Sequence, residues 1–210
     1  MTICFTGPRP SQLHGYDEPA RPLYAQIVDF TLDVILKFAR KTPGTNFISG
    51  GAQGFDQLAF WSVEKAKRLH PELDITNILY IPFENQPSRW SPDGMFGRKE
   101  YLLMRRHANI TRIVSPNPAP DDSRAAVKAL RKRNHAMVQN SDLVIAFLAG
   151  RSLDWEHSSG GTAECVRYAC SQNRPVFAIE YHPDQNPNFS TRKLGLLQEA
   201  TQINILSNAP

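Results

Sequence analysis

The sequence predicts an α/β fold, a Rossmann-like three-layer α/β/α sandwich with a mainly parallel sheet. Short apolar runs alternate along the chain with longer stretches of helical period, the pattern of strands buried on both faces by crossover helices. Three glycine-bearing turns sit where a strand should hand over to a helix: Gly7-Pro8-Arg9, Gly50-Gly51-Ala52-Gln53-Gly54-Phe55-Asp56, and Ser158-Ser159-Gly160-Gly161-Thr162-Ala163-Glu164. Ligands of such sheets sit beyond the carboxyl ends of the strands, so the three turns should converge.

The elements follow in order. Residues 2–6 read as a first strand ending at Gly7, and residues 11–22 as a loop rich in turn formers. Leu23, Ile27, Phe30 and Val34 carry helical spacing through residues 23–40, stopped by Lys41-Thr42-Pro43-Gly44. A strand at 46–49 leads into a helix at 55–70 with Asp56 in its first turn, then a strand at 75–83. Pro87, Pro92, Gly94 and Gly97 make 84–97 a loop. A helix at 98–109, a brief strand at 112–115 and a break at 116–120 come next. Residues 123–140 form a long helix and 143–149 the most apolar strand. After the loop 150–159, a helix at 162–173 and a strand at 176–181 complete the core. Residues 182–190 are turn-rich, 192–200 a last short helix, and 202–206 an edge strand.

The 210 residues are expected to form one domain, with its core in 1–181 and an extension over 182–210. The longest apolar run, 143–149, is far too short to cross a bilayer, and no secretion signal opens the sequence. A cytoplasmic protein without membrane partners is therefore expected, with Cys4, Cys165 and Cys170 reduced. The formal net charge of +4 favours anionic partners. Basic residues gather in 98–112 and 124–133, which read chiefly as solvated helix faces. The histidines lack metal-ligand spacing, so neither a metal nor a cofactor is expected.

Glycine lets a bound group approach the backbone, and a following helix start offers unpaired N–H groups to an anion. Gly7, Gly50, Gly51, Gly54, Gly160 and Gly161 are thus candidate ligand contacts, with Ser159 and Thr162 as hydroxyl donors. Asp56 is either a first-turn helix acid or a ligand contact, and Arg9 either an exposed loop residue or a phosphate partner. Arg131, Lys132 and Arg133 are consecutive on one helix and cannot all face the site. Glu164 either complements its helix dipole or polarises a water, with Arg133 neutralising phosphate and Asn134 beside it. Trp155, in the loop 150–159, and Arg89 and Trp90, in the loop 84–97, either stack on a base or pack against the surface.

Taken in order, Gly7-Pro8-Arg9-Pro10, Ser49-Gly50-Gly51-Ala52-Gln53-Gly54-Phe55-Asp56, Arg133-Asn134 with Ser141-Asp142, and Gly160-Gly161-Thr162-Ala163-Glu164 resemble the SLOG superfamily over residues 1–181. That superfamily groups Smf-like DNA-processing proteins, Lonely Guy phosphoribohydrolases and small nucleotide sensors. The first two motifs look most like its stand-alone YpsA and YspA type members. The resemblance implies a Rossmann-like fold that binds nucleotides or nucleotide-derived ligands, ADP-ribose-like signals among them. It also implies that Glu164 and Arg133 match the two residues with which the phosphoribohydrolases cleave a base–ribose bond. Two departures are visible: residues 150–159 stand where that family has an uninterrupted Pro-Gly-Gly-x-Gly-Thr turn, and Asn134 stands where it has lysine.

The leading expectation is a protein that binds a phosphorylated small molecule as sensor or sequestering agent. The alternatives are a nucleoside 5′-monophosphate N-glycosidase using Glu164 and Arg133, and a binder of single-stranded nucleic acid, a less favoured partner. A homo-oligomer is expected, as such small α/β domains often complete a pocket from a neighbouring subunit.

Overall fold

The computed structural model describes residues 1–13, 15–16, 21–119 and 121–195. Seven strands form one sheet: β1 (Thr2–Thr6), β2 (Asn46–Ser49), β3 (Thr76–Ile81), β4 (Ile110–Ile113), β5 (Leu143–Ala149), β6 (Val176–Tyr181) and β7 (Phe189–Leu194). Five helices connect them: α1 (Arg21–Lys41), α2 (Phe55–Leu69), α3 (Arg98–His107), α4 (Ser123–Gln139) and α5 (Gly161–Ser171). The strand order is β4-β3-β2-β1-β5-β6-β7. Every neighbouring pair is parallel except β6 with β7. The chain leaves β1 toward β2 on one side and returns beyond it at β5, so the order switches between β1 and β5. This is the expected Rossmann-like architecture.

Alternation along each strand divides the core into two layers. Ile3, Phe5, Phe47 and Phe147 pack with Ile27 and Ile35 of α1 and Leu58 and Ala59 of α2. Cys4, Ile48, Val144, Ala146 and Leu148 pack with Met137 and Val138 of α4 and Cys165, Val166 and Ala169 of α5. Leu79 and Ile81 of β3 lie against Phe60 of α2 and Tyr101 and Met104 of α3. Phe55, the first residue of α2, is fully buried, stacked on Phe147 at 4.9 Å and edge-on to Phe5 at 6.3 Å. Its burial seats the start of α2 over the ends of β1 and β5, which fixes where Asp56 points.

Element ends differ modestly from expectation. β4 runs Ile110–Ile113, two residues earlier than the expected strand at 112–115. The larger correction is at 189–194. The helix expected at 192–200 begins instead as strand β7, antiparallel to β6 with Tyr181 opposite Phe189 and Val176 opposite Leu194. Phe189 stacks on Phe30 at 5.1 Å and meets Tyr181 at 5.4 Å, and these tertiary contacts decide the conformation over the weak local signal. Residues 196–200 of that expected helix, and the edge strand expected at 202–206, lie outside the described residues. Among the described residues, no helix is long and apolar enough to cross a membrane.

The cysteines make a first prediction. Cys4 and Cys165 are buried to within 1% of full enclosure, whereas Cys170 is partly exposed. Burial raises the thiols of Cys4 and Cys165, the latter to about 11, so neither carries appreciable thiolate near neutral pH. Iodoacetamide at about pH 8 should therefore modify native protein at Cys170 alone, as read by peptide mass spectrometry. All three should react after unfolding, and native adducts on Cys4 or Cys165 would contradict the buried placement.

Candidate functional site

A hollow of about 330 Å³ lies at the carboxyl edge of the sheet, at the switch between β1 and β5. Three segments meet there. Thr6, Gly7, Arg9 and Gln12 come from the end of β1 and the turn after it, and Ala52 and Asp56 from the turn into α2. Gly160, Gly161, Thr162 and Glu164 come from the start of α5. The remaining wall is α4, with Val127, Leu130, Arg131, Arg133 and Asn134. The buried residues of α4 begin at Ala129, so its opening turns stand clear of the core and flank the hollow.

The start of α5 is built for an anion. Glu164 donates the first helical backbone bond, to Gly160 O at 2.9 Å, so the preceding amides have no partner within the helix. Its N-cap, Gly160, makes no side-chain capping bond. The loop leading into α5 is held by Arg167, whose Nη1 donates to the carbonyl oxygens of Trp155 and Ser158, the latter at 2.9 Å. Asn134 stands close by: a Cβ on Gly161 would lie 3.8 Å from its Nδ2.

Charge is nearly balanced. Arg133 Nη1 donates to Asp56 Oδ2 at 2.7 Å, with the two side chains only 5% and 7% exposed. Asp56 Oδ2 also accepts from Ala52 N at 3.3 Å. This pair joins the α4 layer to the α2 layer over the edge of the sheet. At the rim, Arg131 Nε meets Glu164 Oε1 at 3.2 Å, with Arg131 62% exposed, a geometry worth at most about 1 kcal/mol. Both carboxylates of the hollow are therefore matched. Arg9 is half-buried and makes no hydrogen bond or ion pair among the described residues. Desolvation lowers its pKa, opposed by the field of Asp56 and assisted by that of Arg133. It is the one guanidinium of the hollow, among the described residues, without a matched counter-charge.

Gly7, Arg9, Asp56, Arg133, Asn134, Gly160, Gly161, Thr162 and Glu164 thus come together as the sequence suggested. Gly50, Gly51 and Gly54 do not line the hollow. A Cβ on Gly50 would lie 1.1 Å from Arg133 Nη1, so this glycine makes room for the buried ion pair. Gly51 faces Leu79 and Tyr101 in the core. Gly54 holds φ 95°, and a Cβ there would come within 2.5 Å of the Pro8 carbonyl oxygen, so it joins the first two turns. Ser159 is exposed and off the lining. Trp155 packs beside the α4–α5 core and lines a separate groove with Arg192 and Leu194. Arg89 and Trp90 border two further concavities, and Trp90 meets Tyr101 edge-on at 5.3 Å. The sequence reading missed Gln12, Val127 and Leu130, which carry no motif, Thr6 and Ala52, which adjoin the glycines of their turns without being singled out, and the pairing of Glu164 with Arg131 rather than Arg133. Among the described residues, no cluster of three or more His, Cys, Asp or Glu side chains could hold a metal ion.

Sheet order, glycine turns and the hollow at the switch point define a Rossmann-like α/β domain. More particularly, the chain belongs to the YspA SLOG family, whose profile matches residues 3–181. It is 31% identical over 170 residues to the uncharacterized SPbeta prophage-derived protein YoqJ of Bacillus subtilis (strain 168), covering 79% of this chain and 92% of that protein. The fold is also similar to DNA processing protein A (DprA) from Streptococcus pneumoniae, with TM-score 0.50 and 16% identity. That similarity covers 84% of this chain and 49% of the DprA chain, so this chain spans about half of DprA.

Proposed function

We infer that the protein binds a nucleotide or a nucleotide-derived small molecule, such as an ADP-ribose or cyclic-nucleotide derivative, and acts as a sensor or sequestering protein. One observation carries this reading: the uncapped start of α5 and the unmatched guanidinium of Arg9 line the same hollow. A phosphate placed there gains backbone N–H donors, the helix dipole and a charge-assisted bond to Arg9 together. Val127 and Leu130 offer an apolar wall for the remainder of the molecule. The volume falls at the small end of ordinary ligand pockets, about 300–1,000 Å³.

Isothermal titration with AMP, cyclic AMP and ADP-ribose tests the reading. At least one should bind, and Arg9→Ala should weaken it by about tenfold or more. The same substitution should leave the thermal midpoint unchanged or raised, because it removes a partly desolvated charge that has no partner. No binding by any of the three would sink the proposal. Chromatography of the titrated samples separates binding from cleavage. Free base that disappears with Glu164→Gln would replace the sensor reading by the N-glycosidase one, with Glu164 polarising the attacking water and Arg133 on the phosphate side.

A further inference from the structure

We propose that the binding surface continues past the hollow into a second subsite at Trp90 and Arg89, and that the ligand is a dinucleotide-type molecule, two flat rings joined through phosphate. This rests on the nucleotide reading of the hollow and goes beyond it. A concavity of about 190 Å³ adjoins α4, bordered by Gln86, Arg89, Trp90, Ser123 and Ala126. Ser123, Ala126, Val127, Leu130 and Asn134 follow one another at helical intervals, so they share one face of α4. The first two border the concavity and the other three the hollow, so a single helix face is the common wall of both.

That face differs from the rest of the helix. Val127 is 50% exposed and apolar, among the basic side chains Arg124, Lys128, Arg131 and Lys132. At a rise of 1.5 Å per residue, Asn134 and Ser123 are about 16 Å apart along the axis. A mononucleotide seated at α5 does not reach that far, whereas an extended dinucleotide does. The far end has suitable chemistry. Trp90 borders both this concavity and a neighbouring one and is only partly buried, leaving ring surface for a base to stack on. Arg89 supplies a planar cation beside it for a phosphate or a ring face. Gln86 accepts from Tyr101 through Oε1 at 3.3 Å, and its Nε2 has no hydrogen-bond partner among the described residues.

The test compares AMP with diadenosine diphosphate by isothermal titration on the full chain. Native protein should bind the dinucleotide about tenfold more tightly than AMP, the scale of one added base–aromatic stack. Trp90→Ala should abolish that gain while AMP affinity stays within about twofold, and Trp90→Phe should keep most of it. Arg89→Ala should also reduce the gain, and circular dichroism of each variant guards against a folding defect. Equal affinity for the two probes in native protein overturns this subsite alone. So does an equal loss for both probes in Trp90→Ala. If neither probe binds at all, the nucleotide reading of the hollow falls with it.

Discussion

Replacing Asp56 by alanine is expected to lower the free energy of unfolding by about 3–5 kcal/mol, the cost of leaving a buried charge without its partner. Arg133 is almost wholly enclosed, and its Nε already lacks a partner among the described residues. Its other contacts are Met137 Sδ at 3.7 Å and the space above Gly50. Water reaches the pair only from the hollow, over the few per cent of each side chain that is exposed. Urea titration followed by circular dichroism measures the loss, and a change below about 1 kcal/mol would mean that the guanidinium finds other solvation. Removing both charges together, as Asp56→Leu with Arg133→Met, should recover most of the stability, because similar-sized apolar groups avoid the desolvation cost.

Gly50→Ala should be comparably damaging, at about 3 kcal/mol or more. The added methyl would overlap Arg133 Nη1 at 1.1 Å and crowd Asp56 Oδ2 at 2.5 Å. The guanidinium cannot move aside without breaking its 2.7 Å bond to Asp56. A double-mutant cycle makes this specific. In an Arg133→Met background the flexible thioether can yield, so the cost of Gly50→Ala should fall by about 1–2 kcal/mol. Equal costs in the two backgrounds would show that the glycine matters for some other reason.

These two positions also show where the sequence could be read and where it could not. The strand and helix succession was legible because apolar runs such as 143–149 and the helical spacing of 23–40 are local properties of the chain. The convergence of Gly7, Gly160 and Gly161 followed from topology, since strand ends of a parallel sheet share one edge. Gly50, Gly51 and Gly54 show the limit. A glycine records that space is needed, but not whether a ligand, a core side chain or a neighbouring turn fills it. Here Arg133, Tyr101 and Pro8 do. The same holds for Val127 and Leu130, ordinary helix residues whose place in the site depends on how far α4 extends past the sheet. β7 was hidden because Phe189 gains its meaning from Phe30 and Phe147, both distant in sequence, and from Tyr181 opposite it across the β6–β7 pair.

The place of β1 in the sheet bears on how the protein is made. Cys4 lies opposite Ile48 on one side and opposite Val144 on the other. Vectorial synthesis therefore delivers the axial strand and its partner β2 well before β5, so the second flank of β1 is covered only after the intervening elements, from α2 to α4, have left the ribosome. Nascent chains that stop short of β5 leave that flank bare, with hydrogen-bonding backbone and apolar side chains open to wrong partners. Pairings so remote along the polypeptide also slow the search for the native topology. Stalled or truncated translation products should accordingly depend on chaperones far more than the finished molecule does.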